Sequence, residues 1–200
     1  RIKDLTGSRI LDLGCAYGFL LDEAKKIKKC EAYGIEINND AYEYAKNNLL
    51  LKVTNCELDS CNFEPDFFDA VFLIGTLEHL VFPKETLAII HDILKPDGLL
   101  VITTIDTRGL FPLYSIKPPE HLYYFNHNNL LTLLDNLGYK GLLNKTYFVS
   151  YQAHDLCHRI GEFLSLPVFR FIPDKFKNLL NFPVKIPTNE IIVIATKKGL

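Results

Sequence analysis

Apolar and polar positions along the chain alternate between two periods. Arg9-Ile10-Leu11-Asp12-Leu13 is a short apolar run ending on Gly14, the pattern of a buried strand. Leu20, Leu21, Ala24 and Ile27 follow at helical spacing with lysines on the other side. Ala32-Tyr33-Gly34-Ile35-Glu36 is a second strand segment, and Asp40 is placed to cap a helix carrying Ala41, Tyr44, Ala45 and Leu49. A third short strand ends near Cys56, and the uniformly apolar run from Phe68 to Ile74 is a fourth. Pro83 suits the first turn of a helix bearing Leu87, Ile90 and Leu94. Pro96-Asp97-Gly98 signals a turn before a fifth strand from Leu99 to Thr104. Asn126 is placed to cap a helix with Leu130, Leu133, Leu134 and Leu137 on one stripe, and Gly138 to close it. Ile191 to Thr196 is a final buried strand.

Alternating strands and helices require crossovers, which predicts an α/β fold with a mainly parallel sheet and helices on both faces. Ligands bind such sheets at the carboxyl ends of the strands. Asp12 to Gly18, Glu36, Glu57 to Asp59 and Ile74 to His79 are therefore the functional suspects. A length of 200 residues fits one domain. Residues 1–151 are expected to form its sheet and helices, residues 152–187 a helical insertion or cap, and residues 188–200 the last strand. The insertion reads as two short helices broken by prolines, one with Leu156, Ile160, Phe163 and Leu164, the other with Phe176, Leu179 and Leu180. It is expected to pack on the sheet edge or on a second copy of the chain as a homodimer. A lid over an apolar acceptor and a membrane-touching surface are the sharper readings.

Composition narrows the partners. With 22 basic against 24 acidic residues the net charge is −2, so there is no global field to attract nucleic acid. No apolar run approaches the ~20 residues of a membrane span, which excludes stable membrane insertion. The five cysteines, at 15, 30, 56, 61 and 157, form no CxxC pair and are read as reduced, and a cytoplasmic location is expected. The chain contains no Met and starts at Arg1, from which either a trimmed N-terminus or Met positions not written into the sequence are expected.

The loop Asp12-Leu13-Gly14-Cys15-Ala16-Tyr17-Gly18 joins the first strand to the first helix, where glycines admit a ligand close to backbone N–H groups. A dinucleotide fingerprint needs G-x-G-x-x-G. Gly14 could begin one, but Ala16 and Phe19 stand at the next two glycine positions. An NAD(P)-dependent oxidoreductase is thus a weakened alternative. Four motifs together resemble the Rossmann-like, class I S-adenosylmethionine-dependent methyltransferases. They are Asp12-x-Gly14-x-x-x-Gly18, Glu36 ending the second strand, Phe68-Asp69 opening the fourth, and Leu94-Lys95-Pro96-Asp97-Gly98 before the fifth. The resemblance covers about Ile10 to Tyr139. The tract Pro118-Pro119-Glu120-His121-Leu122-Tyr123-Tyr124-Phe125 resembles a subgroup related to the ubiquinone-biosynthesis O-methyltransferases.

That resemblance implies a three-layer, doubly wound, mainly parallel seven-stranded sheet. It implies S-adenosyl-L-methionine as cofactor, S-adenosyl-L-homocysteine as product, and a small-molecule acceptor, with O-methylation preferred. The loop of Gly14, Cys15, Ala16, Tyr17 and Gly18 would hold the methionine part, with Asp12 fixing its amino group. Glu36 would accept the ribose hydroxyls and Ile37 would pack on the adenine. Glu57 or Asp59 would read the adenine edge beside Leu58, and Ile74 and Gly75 would lie along the methionine part.

Methyl transfer needs positioning, a dry pocket and, for an oxygen acceptor, a base. His121, in a Pro-rich loop, is the first choice for that base; a structural role in the loop is its rival. His79 and Glu78 stand at the mouth of the expected site. In ubiquinone-type relatives a Glu-His pair here goes with a divalent metal and one more Glu three residues earlier. That position is Gly75, so no metal is expected. His154 and His158 are four apart but have no identifiable third ligand, so they are read as a solvated helix face. His91 and His127 are read as surface or capping residues. A methyltransferase-like domain that binds cofactor without turnover is the other alternative.

Overall fold

The computed structural model describes residues 4–108, 116–153, 155 and 181–198. Seven strands form one sheet in the order β3-β2-β1-β4-β5-β7-β6. The strands are β1 (Arg9–Leu13), β2 (Glu31–Ile35), β3 (Lys52–Thr54), β4 (Phe68–Ile74), β5 (Leu94–Ile105), β6 (Tyr139–Gln152) and β7 (Pro183–Lys197). The sheet is mixed: β1 to β5 pair in parallel, and β7 runs antiparallel beside β5, with Thr104 opposite Ile191. Strand order reverses between β1 and β4, which places a crevice at their carboxyl ends.

Helices cover both faces. Successive side chains in β1 point to opposite sides: Leu11 and Leu13 join a core with Leu87 of α3 (Pro83–Ile93) and Leu130 of α4 (His127–Asn136). Ile10 joins another core with Leu21 of α1 (Phe19–Lys28) and Ala45 of α2 (Asn39–Asn47). Local chemistry sets the helix ends. Asn38, rather than the expected Asp40, caps α2 by accepting from Ala41 N–H; Asp40 lies in the first turn, where its charge suits the helix dipole. Pro83 opens α3, and Asn126 with Asn129 closes a reciprocal capping box on α4.

Three boundaries differ from the pattern. The turn signal Pro96-Asp97-Gly98 lies inside β5 as a bulge: Phe68 pairs with Leu94, then Ala70 pairs with Leu99, and Asp97 takes φ 59°. β6 runs on to Gln152, and β7 starts at Pro183, well before the expected boundary. Ala153 and Asp155 are helical; the rest of the expected insertion between them and residue 181, including His154, Cys157 and His158, lies outside the described residues. The chain divides into two compact units, one of residues 1–145 with 189–200 and one of residues 146–188. Within the second, Thr188 Oγ1 donates to Tyr147 O at 2.8 Å and Ala153 N to Phe182 O at 3.0 Å. The reading of all cysteines as reduced is corrected for Cys56 and Cys61, which form a disulfide; Cys15 and Cys30 are free and buried. Among the described residues no helix is long and apolar enough to cross a membrane.

Candidate active site

The first strand ends in a turn stitched to the second. Gly14 N and Cys15 N both donate to Ile35 O, at 2.9 and 3.1 Å, and Gly18 N closes the turn onto Cys15 O at 2.8 Å. Gly14 takes φ +77°, and a Cβ there would stand 2.7 Å from Thr76 Oγ1. Thr76 in turn donates to Leu13 O at 2.9 Å, so the ends of β1 and β4 lock together at the switch point.

Glu36, at the end of β2, is buried and accepts two backbone N–H groups, Ala16 N at 2.8 Å and Asn38 N at 2.7 Å. Ala16 takes φ 46°, a left-handed conformation that glycine adopts more readily. Asn55 braces this corner by donating from Nδ2 to Glu36 O and Ile37 O. No motif in the sequence pointed to Asn55.

Asp12 lies buried behind the loop. Its Oδ1 is the one buried side-chain polar atom without a hydrogen-bond partner among the described residues. Burial, and then the charge of Glu36, pushes its carboxyl up to about 7. The Cys15 thiol is pushed up to about 12 by burial, then by Asp12 and Glu36. A buried acid with an orphaned oxygen, next to a second acid, fits a cationic group. The ammonium and sulfonium of S-adenosylmethionine are such groups, so the donor set fits this cofactor.

The adjoining cleft has a volume of about 420 Å³ and takes in Gly14, Ile37, Glu57, Leu58, Asp59 and His79. Glu57 and Asp59 both line it, so both candidates for the adenine edge lie in reach of the cleft. Phe82, Glu85, Thr86 and Ile89, from α3 and its cap, also line it and were not singled out in the sequence. Gly18, Tyr17, Ile74 and Gly75 are not among the residues that line this cleft. Gly18 is small for packing, since a Cβ would meet Leu51 Cδ1 at 2.6 Å. Tyr17 is exposed and meets Phe19 and Tyr44 ring to ring. Ile74 is exposed, and Gly75 N donates to Thr103; neither lines the cleft.

His79 ties the cleft to a second cluster. Glu78 and His79 sit on a single 3-10 turn, Leu77–His79, directly after β4. The buried Glu78 carboxylate accepts from Thr104 Oγ1 at 2.8 Å. Its backbone carbonyl accepts Leu122 N at 2.9 Å and Tyr123 N at 3.2 Å, which draws the Pro-rich loop over the turn. His79 Nδ1 bonds Glu120 O at 2.7 Å, and the His79 and His121 rings stand 4.9 Å apart. Ligand-type atoms of Glu78, His79 and His121 all lie within 4.8 Å of one another. Glu190, opposite Ile105, joins from β7: burial and the charge of Glu78 hold its carboxyl above its ordinary value. Only the pairing of β7 beside β5 reveals Glu190, because it directly precedes the apolar run read from the sequence.

The two histidines read as surface or capping groups are half-buried. His91 packs edge-on against Tyr139, ring centroids 5.1 Å apart. His127 Nε2 lies 3.7 Å from the buried Asp106 carboxylate, and its Nδ1 bonds Asn144 Oδ1.

Residues 2–144 match the family described as a methyltransferase domain. A ubiquinone biosynthesis O-methyltransferase of Neisseria meningitidis serogroup C is 29% identical over 129 residues, covering 61% of this chain and 54% of that protein. An (S)-coclaurine N-methyltransferase of Papaver somniferum is 33% identical over 129 residues, covering 62% of this chain and 36% of that protein. The chain thus spans about half or less of the length of these curated relatives. The fold matches a SAM-dependent methyltransferase structure from Archaeoglobus fulgidus with TM-score 0.70 and 22% identity, covering 97% of this chain and 88% of that one. With the glycine turn, the acidic strand end and this sheet order in place, the chain belongs to the methyltransferase-domain family of class I, S-adenosylmethionine-dependent enzymes.

Proposed function

We propose that this chain transfers a methyl group from S-adenosylmethionine to a hydroxyl of a small acceptor, such as a hydroxylated aromatic, a prenylated ring or a glycan sugar. The observation that carries the reading is His79, which lines the cofactor cleft and also belongs to the Glu78–His121 cluster. The cofactor, when bound, supplies a methyl group already activated on a sulfonium. The chain supplies the rest. Asp12 faces the cationic end, Glu36 and the Gly14 to Gly18 turn hold the sugar and amino-acid portions, and Ile37 and Leu58 offer apolar contact to the base. These residues would hold cofactor and acceptor in line for transfer of that methyl group. The acceptor proton leaves to the cluster of Glu78, His79 and His121. The resemblance of the 118–125 tract to the ubiquinone-type subgroup supports O-methylation over N-methylation.

Calorimetry with S-adenosylhomocysteine and with NAD, followed by a methyl-release screen over hydroxylated acceptors, tests this. Binding of S-adenosylhomocysteine with turnover on at least one hydroxylated acceptor is expected. Binding of NAD alone points to an oxidoreductase. S-adenosylhomocysteine binding without turnover on any acceptor points to a non-catalytic cofactor-binding module.

A further inference from the structure

We infer that the Cys56–Cys61 disulfide is a reversible redox clasp on the cofactor cleft: oxidised, it holds the loop of Glu57, Leu58 and Asp59 in place, and reduced, it frees that loop and weakens cofactor binding. This is regulation of the proposed methyl-transfer site, and it rests on reading the cleft as the place of S-adenosylmethionine.

The two cysteines bracket one short 3-10 turn, Leu58–Ser60. Cys56, Glu57, Leu58 and Asp59 all line the cleft. Both candidates for the adenine edge thus lie inside the ring that the disulfide closes. The turn's backbone bonds are short-range: Ser60 N donates to Glu57 O and Cys61 N to Leu58 O, each at 3.1 Å. Leu58 is buried in the core, whereas Glu57, Asp59 and Ser60 are exposed. A loop tied in this way depends on its cross-link. Once the cross-link is cut, the freed residues must be ordered again when a ligand binds, and that ordering weakens binding. The effect extends one residue upstream. Asn55 Nδ2 donates to Glu36 O and Ile37 O at 2.8 and 3.0 Å, so loosening at Cys56 reaches the acidic corner as well.

The pair is also placed to react. Cys56 and Cys61 are half-buried and flanked by exposed Asn55, Glu57, Ser60 and Asn62. Disulfides open to solvent are the ones that thiols reduce. Cys15 and Cys30 are buried thiols, and the Cys15 thiol is pushed up to about 12, which leaves it a poor nucleophile. In the exchange, a thiolate of a dithiol reductant attacks one sulfur of the pair, the S–S bond breaks and a mixed disulfide forms. The second thiol of the reductant then displaces the protein sulfur. The chain gains two electrons and two protons, and the reductant leaves as its own disulfide. A small disulfide oxidant reverses the step.

The test prepares the whole chain with dithiothreitol and with oxidised glutathione. Mass spectrometry reads the state from a proteolytic peptide carrying both cysteines, lighter by two hydrogens when oxidised. S-adenosylhomocysteine affinity of each form is measured by calorimetry. Expected are interconversion of the pair, binding at least about fivefold weaker in the reduced form, and a Cys61→Ser variant that binds like the reduced chain under both conditions. A pair that does not interconvert, equal affinity in the two forms, or a dithiothreitol effect that persists in Cys61→Ser overturns the clasp and leaves the proposed function standing. Should Cys61→Ser lack a cooperative thermal transition, Cys61→Ala replaces it with the same expectation. S-adenosylhomocysteine binding in neither form removes the proposed function, and the clasp with it.

Discussion

The Thr76 hydroxyl stands 2.7 Å from the point where a Cβ on Gly14 would lie, so a residue without a side chain sets the spacing of β1 and β4. Gly14→Ala meets both this clash and an unfavourable φ of +77°. The expected loss is about 2–3 kcal/mol, with weaker S-adenosylhomocysteine binding. In the double variant Gly14→Ala, Thr76→Ala the clash disappears and the φ strain stays. Chemical denaturation should show the double change to be milder than the sum of the single changes by about 1 kcal/mol. Strict additivity would rule out the steric coupling.

Ala16 presents the opposite case. It sits at φ 46° with its N–H bound to Glu36. Ala16→Gly is expected to leave stability unchanged or raise it by up to about 1 kcal/mol, although Gly loses more chain entropy on folding. Cofactor affinity should hold. A thermal midpoint several degrees lower would show that Ala16 is not strained.

Asp12 makes stability depend on pH in a definite direction. Its carboxyl lies near 7 in the fold against an ordinary 3.8, so the folded state holds the proton more tightly than the unfolded state. The contribution of Asp12 to the stability of the ligand-free chain is therefore full below about 4 and is lost as pH climbs toward and through 7, by an amount on the order of 2–4 kcal/mol. Asp12→Asn should flatten that fall, which denaturation at pH 5 and pH 8 would reveal. The same variant should bind S-adenosylhomocysteine at least about tenfold more weakly at pH 8, through loss of a buried partner for the ammonium.

Glu36 accepts N–H groups from both sides, a task for which an amide has one acceptor too few. Glu36→Gln turns an amide NH₂ toward one of these donors. The expected cost is about 1–3 kcal/mol of stability and at least about tenfold in S-adenosylhomocysteine affinity. Calorimetry showing unchanged affinity would remove Glu36 from the ribose site.

Much of the cofactor half was legible because its signals are local. A short apolar run, a glycine turn and an acid at the next strand end lie within residues 10–36, and each follows from backbone geometry. Asn126 and Pro83 were legible for the same reason, since caps are short-range devices. In the acceptor half Glu78, His79 and His121 were legible singly, but their meeting was not. His79 meets Glu120 across 41 residues, and Glu190 reaches Glu78 only through the antiparallel placement of β7. The β5 bulge was misread as a turn outside the strand, because Pro, Asp and Gly carry the same signal in both settings. Cys56 and Cys61 looked scattered in the sequence and meet because the intervening turn, Leu58–Ser60, folds the chain back.

The loop bearing His121 is moored to a main-chain oxygen at position 78, and a main-chain oxygen is the same whatever side chain its residue carries. Mutation can therefore exchange the groups at 78, 79 and 121 one at a time while the mooring persists. Such an arrangement lets the chemistry at these three positions drift among descendants of one scaffold without first unseating the loop, while the glycine turn after β1 stays under strict steric control.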